Sequence, residues 1–267
     1  MLVLYIFYKN VLYIACMYIF GFWSLFSGQV LYEAIMYQNY NITLTSLPIM
    51  FYCLFDFEYV KQRPKNDPTA NEKQLYLMEH PKLFEASMKG EYFTLFKFVQ
   101  YLLYSLFHAI MIYFLCYQFV SGPNTNSEGK QLGIWIPGHI VFGTCIICCN
   151  LVLFLRFNNW TGWGEALVYL MILNFFTLMY IESVIGLAII PDLYYIFDVM
   201  FMFDLVWVQM IACATITVAL ELTVSHYYRI MYDLETPILQ ESEEHKRMLK
   251  AEEIEKGNKE RSMSMKN

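Results

Sequence analysis

The fold class predicted by this sequence is all-α: a polytopic membrane protein of six transmembrane helices with both termini in the cytosol. Three observations predict it. The chain is 58% hydrophobic with a mean hydropathy of +0.39, above the roughly 45–50% apolar content of soluble domains. Its apolar residues fall into stretches of the length needed to cross a hydrocarbon core of about 30 Å, which takes about 20 helical residues. Its lysines and arginines are sorted to one side of those stretches. The net charge of −6 conceals this sorting.

The spans are expected at 2–26, 35–55, 96–120, 134–156, 165–187 and 204–226. The first starts at Leu2 with no basic flank. Its core is too long for a secretory signal peptide and is interrupted by Lys9. Such a beginning reads as a chain that starts inside a longer protein. The second span has a short unbroken apolar part, so it must take in the polar region Gln38–Ser46 or be re-entrant. Pro48 predicts a break there. It has no N–H to give to a helix ladder and should free the carbonyl of Leu44. Pro137 falls in the first turn of the fourth span, where a missing N–H matters little.

Orientation follows from the basic residues. The loop 56–95 holds Lys61, Arg63, Lys65, Lys73, Lys82 and Lys89, Arg156 ends the fourth span, and eight more follow the sixth. The opposite side holds Lys130, with Asp192 and Asp198 in an acidic loop. Basic residues concentrate on the cytosolic side, which places the 56–95 loop and both termini there. Two regions result: 1–232, the transmembrane transport region with its cytosolic loop, and 233–267, a charged tail of mixed sign that reads as a solvated helix passing into disorder.

All seven cysteines lie inside or at the edge of apolar runs, which argues against a disulfide framework and for packing as small apolar residues. Cys145 and Cys148 have a Cys-x-x-Cys spacing, but within a span, where a metal or redox role is improbable. No catalytic residue and no metal site is expected in these 267 residues, and nothing points to nucleic acid. No Gly-x-x-x-x-Gly-Lys phosphate cradle occurs.

The first two spans carry the unusual chemistry. Lys9 and Asn10 stand side by side in an oily helix, and Asn41, Thr43, Thr45 and Ser46 precede Pro48 in the next. Polar groups in hydrocarbon are costly and face a cavity, a partner helix or a transport path. From the residues alone, Lys9 is equally a snorkelling lysine, lying about 10 Å from the inner end at 1.5 Å per residue. Thr45 and Ser46 are equally hydroxyls that bond back to their own helix beside the proline. For Asn150, Asn174, Gln209 and Glu182, interhelix hydrogen bonding is the default reading.

Several short stretches carry a resemblance. Phe7-Tyr8-Lys9-Asn10, Gly28-Gln29, Tyr40-Asn41, Thr45-Ser46-Leu47-Pro48 and Phe55-Asp56 resemble the fifth and sixth membrane helices of the type IV P-type ATPases, the lipid flippases. His80 to Phe84, Ser105 to His108, Trp160 to Trp163 and Tyr227 to Glu241 extend the similarity, so that it covers residues 1 to about 241. The ninth-helix region departs from the family, reading FFTLMYIES where an Ile-Trp-Gly-Ser stretch is common, and the loop 56–80 is longer than usual.

The resemblance implies the C-terminal, six-helix part of a phospholipid-translocating ATPase that moves aminophospholipid-type lipids from the outer to the cytosolic leaflet. The matching Lys9, Asn10, Asn41, Thr45 and Ser46 would then lie on the lipid headgroup path, with Pro48 as its helix break. ATP and Mg²⁺ would belong to the intact protein, since the phosphorylated Asp-Lys-Thr-Gly-Thr motif and the Asp-Gly-Glu-Thr motif are missing here. This chain alone should have no ATPase activity. A two-span accessory subunit would be the partner, and the setting would be the plasma membrane or the Golgi and endosomal endomembranes. Two rivals stand beside this reading. One is a non-catalytic six-span scaffold. The other is an ion pump, for which Glu33 as the single carboxylate of the first two spans is too few ligands.

Overall fold

The computed structural model describes residues 2–55, 93–118, 133–157, 162–189 and 191–231, with backbone alone at 186–189, 192 and 228–231. The predicted loop 56–95, up to residue 92, and the tail 233–267 lie outside the described residues. Two compact units are distinguished, Met1–Val218 and Ala219–Asn267.

Every regular element described is helical. The first is α1, Leu2–Trp23. Its buried residues Leu4, Tyr5, Tyr8, Lys9, Leu12, Tyr13, Cys16 and Phe20 recur at three- and four-residue spacing and form one stripe. Val3, Phe7, Ile14, Tyr18 and Phe22 lie exposed on its other side. A helix apolar on both faces yet buried on one is suited to lipid on the other.

α1 ends at Leu25 and Phe26, both at φ 52°. The Phe26 amide closes the end onto the Gly21 carbonyl at 2.8 Å. A left-handed exit made without glycine is strained. The chain then reaches Glu33, whose buried carboxylate accepts from the amides of Ile35 (2.6 Å) and Met36 (3.1 Å) and so caps α2, Ala34–Asn39.

The second predicted span is not one helix. α2 passes into a π-helical turn, Tyr40–Leu44, stops at Thr45, and resumes as α3, Ser46–Phe55. The break comes three residues before Pro48, which takes the third position of α3, where its missing N–H costs α3 no bond of its own but offers no donor to the carbonyls before the break.

The remaining spans are continuous. α4, Leu95–Ile112, is capped by Thr94 and runs on as a π turn to Gln118. α5 is Trp135–Leu155 and α6 is Gly162–Ile189. After a short 3₁₀ turn, Pro191–Leu193, and α7, Ile196–Phe201, comes α8, Asp204–Met231, whose residues from Ala219 belong to the second unit. Among the described residues, five helices are long and apolar enough to cross a membrane. The predicted second span is the broken segment α2–α3.

α5 is the axis of the first unit: 16 of its 21 residues are buried. Pro137 sits in its first turn, as its position predicted. Gly138 follows it, and a Cβ there would lie 2.2 Å from the Leu31 carbonyl oxygen, so the loop after α1 crosses α5 at a point that only glycine permits. α1 packs chiefly on α4, with α5 behind it. The core between them is aromatic and sulfur-rich, with Tyr5, Tyr8, Tyr40, Tyr113, Phe142 and Phe175 fully buried.

Candidate functional site

The break in the α2–α3 segment lies beside the middle of α1, and this is where the polar residues meet. Lys9 is in the buried stripe of α1 and is 4% exposed. Its ammonium donates to the Thr45 hydroxyl at 2.8 Å, and the Thr45 hydroxyl donates to the Tyr40 carbonyl at 2.7 Å. Lys9 therefore turns inward to the break and does not reach for the membrane surface. Its Nζ also stands 5.8 Å from the centroid of the Tyr40 ring, within cation–π range.

The backbone around Lys9 is held by two tyrosines. The Tyr40 hydroxyl donates to the Lys9 carbonyl at 2.9 Å, with Cys149 Sγ 3.2 Å away as the thiol that can donate to it. The Tyr5 hydroxyl donates to the Cys149 carbonyl at 2.9 Å. At the residue before Lys9, the Tyr8 hydroxyl meets His108 Nδ1 at 2.6 Å, and Ser105 donates to the Tyr8 carbonyl at 2.8 Å. α1 is thus pinned to α4 on one side of Lys9 and to α2 and α5 on the other.

The carbonyls at the break have partners from distant helices. The Asn150 amide, on α5, donates to the Leu44 carbonyl at 3.2 Å and to Ile146 at 3.0 Å on its own helix. The Asn174 amide, on α6, donates to the Thr43 carbonyl at 3.2 Å. The Leu44 carbonyl, four residues before Pro48, and the Thr43 carbonyl are both met by side chains from other helices.

The other predicted site residues are placed as follows. Ser46 bonds back to the Ile42 carbonyl. Asn41 is exposed. Asn10 is partly buried, and its Oδ1 is shielded from solvent with no hydrogen-bond partner among the described residues. The structure therefore joins Lys9 to Thr45 and shows no hydrogen bond from Lys9 to Asn10, Asn41 or Ser46. Tyr40, Tyr5 and Cys149 are contributors that sequence reasoning missed. Tyr40 carried a signal in the Tyr-Asn pair of the family motif. Tyr5 and Cys149 carried none beyond burial.

Of the other intramembrane polar groups, Glu182 pairs with His139 at 3.6 Å, linking α6 to α5. Gln209 Oε1 is buried without a hydrogen-bond partner among the described residues.

Chemically, the hub is a cation in a low-dielectric setting with one hydroxyl acceptor. Among the described residues no carboxylate pairs with Lys9. An ammonium has three donors, and Thr45 takes one of them. The arrangement suits an anionic oxygen, phosphate or carboxylate, through charge-assisted hydrogen bonds. It does not suit Mg²⁺: among the described residues no three His, Cys, Asp or Glu side chains gather where an ion could be held.

Residues 1–234 match the model of the phospholipid-translocating P-type ATPase C-terminal region. Human phospholipid-transporting ATPase IH is 28% identical over 222 residues, which is 81% of this chain and 18% of the relative. Human phospholipid-transporting ATPase IG is 30% identical over 174 residues, 63% of this chain and 14% of that protein. Phospholipid-transporting ATPase C887.12 of Schizosaccharomyces pombe is 28% identical over 163 residues, covering 60% and 12%. The chain spans less than a fifth of the length of these relatives.

Proposed function

The chain belongs to the phospholipid-translocating P-type ATPases, and from that premise we propose that it forms the membrane half of an ATP-driven flippase, with Lys9 at the centre of its headgroup path. It is an integral membrane protein. The observation that carries the proposal is the buried ammonium of Lys9, joined to Thr45 at the break and paired with no carboxylate among the described residues. A charge is kept in hydrocarbon, against its cost, where it has work to do on a polar passenger.

The passenger is a phospholipid of the aminophospholipid type. Its phosphate or carboxylate oxygens exchange water for the two remaining donors of Lys9. Asn10 and Asn41, each able to donate and accept, take over further headgroup hydrogen bonds on more open faces. Thr45 and Ser46 keep the polar break wet enough in hydrogen-bonding terms for the headgroup to pass, while the acyl tails stay in lipid. Movement is from the outer to the cytosolic leaflet, with the cytosolic side set by the basic residues of 56–95 and the tail. ATP and Mg²⁺ act on residues outside this sequence, so the fragment alone is inactive as an ATPase. A two-span accessory subunit docks on the outer loops.

The test is Lys9→Ala in a complete flippase carrying this segment. The expected result is a correctly assembled protein in which added phospholipid no longer stimulates ATP hydrolysis. Stimulation equal to that of the unchanged protein would refute the assignment.

A further inference from the structure

The α2–α3 break poses an accounting problem that the chain cannot solve with its own backbone. Continued in the α register, the Leu44 carbonyl needs the N–H of residue 48. Continued in the π register of the turn before it, the Thr43 carbonyl needs the same N–H, five residues on. Pro48 has none. In either register one of these two carbonyls looks to a donor that does not exist, at a depth where an unmet backbone group is costly. These are the two carbonyls reached by Asn150 from α5 and Asn174 from α6, each at 3.2 Å.

We propose that Asn150 and Asn174 are positioning residues: their amides stand in for the backbone donor missing at Pro48, lock the break, and so hold Thr45 against Lys9. The link to Lys9 is short. Thr45 directly follows Leu44, and its hydroxyl spends its own proton on the Tyr40 carbonyl at 2.7 Å. Its oxygen is then turned to accept from Lys9. Rotation of the Thr43–Leu44 peptides would carry the Thr45 hydroxyl away from the ammonium. Asn150 is anchored for this task, because its second amide proton is fixed on Ile146 within α5 and its side chain is fully buried. The passenger's headgroup thus meets a site whose geometry is set from two helices that need not touch it. This inference rests on the headgroup reading of Lys9.

The test uses the 267-residue chain in lipid nanodiscs. Carbonyl-¹³C leucine with ¹⁵N threonine marks two Leu–Thr pairs, Leu44–Thr45 and Leu222–Thr223, the second serving as an internal control. Asn150→Ala should move the Leu44 carbonyl resonance upfield, as a carbonyl losing its donor does, and leave Leu222 in place. Binding of a water-soluble short-chain phosphatidylserine should weaken roughly tenfold, the low end for a lost hydrogen bond to a charged group. The isosteric Asn150→Asp should behave like Asn150→Ala when ionised and recover both signals as the pH is lowered and the protonated carboxyl can donate. In Pro48→Ala, residue 48 regains an N–H, and adding Asn150→Ala should no longer move Leu44.

An unmoved Leu44 resonance in Asn150→Ala overturns the inference. So does an equal loss of lipid affinity when Asn150→Ala is made in a Lys9→Ala background, because a positioning residue has nothing left to position there. Wild-type lipid binding by Lys9→Ala alone overturns the headgroup reading and, with it, the link to Lys9. The Leu44 resonance then still decides whether the amide is the donor.

Discussion

Replacing Lys9 by methionine separates a residue kept for function from one kept for structure. Methionine has nearly the same length and no charge. Burying a cation in a bilayer costs about 2.5–3.5 kcal/mol on insertion scales, and the substitution recovers that. It loses the charge-assisted bond to Thr45, about 1.5–3 kcal/mol, and a cation–π contact with Tyr40 worth about 0.5 kcal/mol at its long range. Thr45 is not orphaned, since its proton stays on the Tyr40 carbonyl. The gains and losses cancel to within about 1 kcal/mol, a shift of roughly 2–4 °C or less in Tm for a protein of this size. Breaking a buried ion pair that holds a fold together would instead cost about 3–5 kcal/mol. Thermal unfolding of the purified chain in nanodiscs, followed by tryptophan fluorescence, reads the difference. The expectation is an unchanged Tm with loss of short-chain phosphatidylserine binding. A fall in Tm of the size of a broken ion pair would show that Lys9 is a structural cation and would refute the reasoning.

Two further outcomes test the frame around the site. Gly138→Ala drives a Cβ to 2.2 Å from the Leu31 carbonyl. It should cost about 1–3 kcal/mol by overpacking, read as a lowered Tm; an unaltered Tm would mean that the 24–33 loop gives way freely. Glu33→Ala removes the carboxylate that caps α2 and should cost about 0.5–2 kcal/mol, with faster hydrogen exchange at the amides of Ile35 and Met36. Unchanged exchange at those two amides would show that the cap is dispensable.

Much of this was legible in the sequence because the bilayer imposes simple rules. Apolar length located five spans to within a few residues, since a helix that must satisfy its own backbone in lipid has little freedom over where it starts and stops. The proline rule pointed to Pro48 and the Leu44 carbonyl, next to which the segment breaks. The place of the break was not legible. Pro48 marks it, but the π turn and Thr45 put it three residues earlier, where α1 and α5 could receive it. The spacing Tyr5, Tyr8–Lys9, Leu12, Tyr13, Cys16 already put Lys9 on a single stripe, yet on a helix apolar all round the pattern does not say which stripe faces protein. That is decided by partners more than 30 residues away in sequence, such as Thr45 and Tyr40. Asn150 and Asn174 were read by default as interhelix hydrogen-bonding groups, without named acceptors, for the same reason: those acceptors lie 106 and 131 residues back along the chain.

A continuous helix would be the cheaper way to cross here, and the break is the informative choice. A regular α2–α3 helix would bury its carbonyls in its own ladder. By stopping at Thr45, the chain turns a hydroxyl toward Lys9 and exposes two carbonyls that must then be met by Asn150 and Asn174. Each part of this arrangement is a liability alone: a cation in oil, a proline in a span, and carboxamides deep in a bundle. Together they meet much of one another's need, while Lys9 retains donors with no fixed acceptor among the described residues. The unspent donors of Lys9 are the positively charged part of what the network leaves open, and an anionic headgroup is the partner that would complete them.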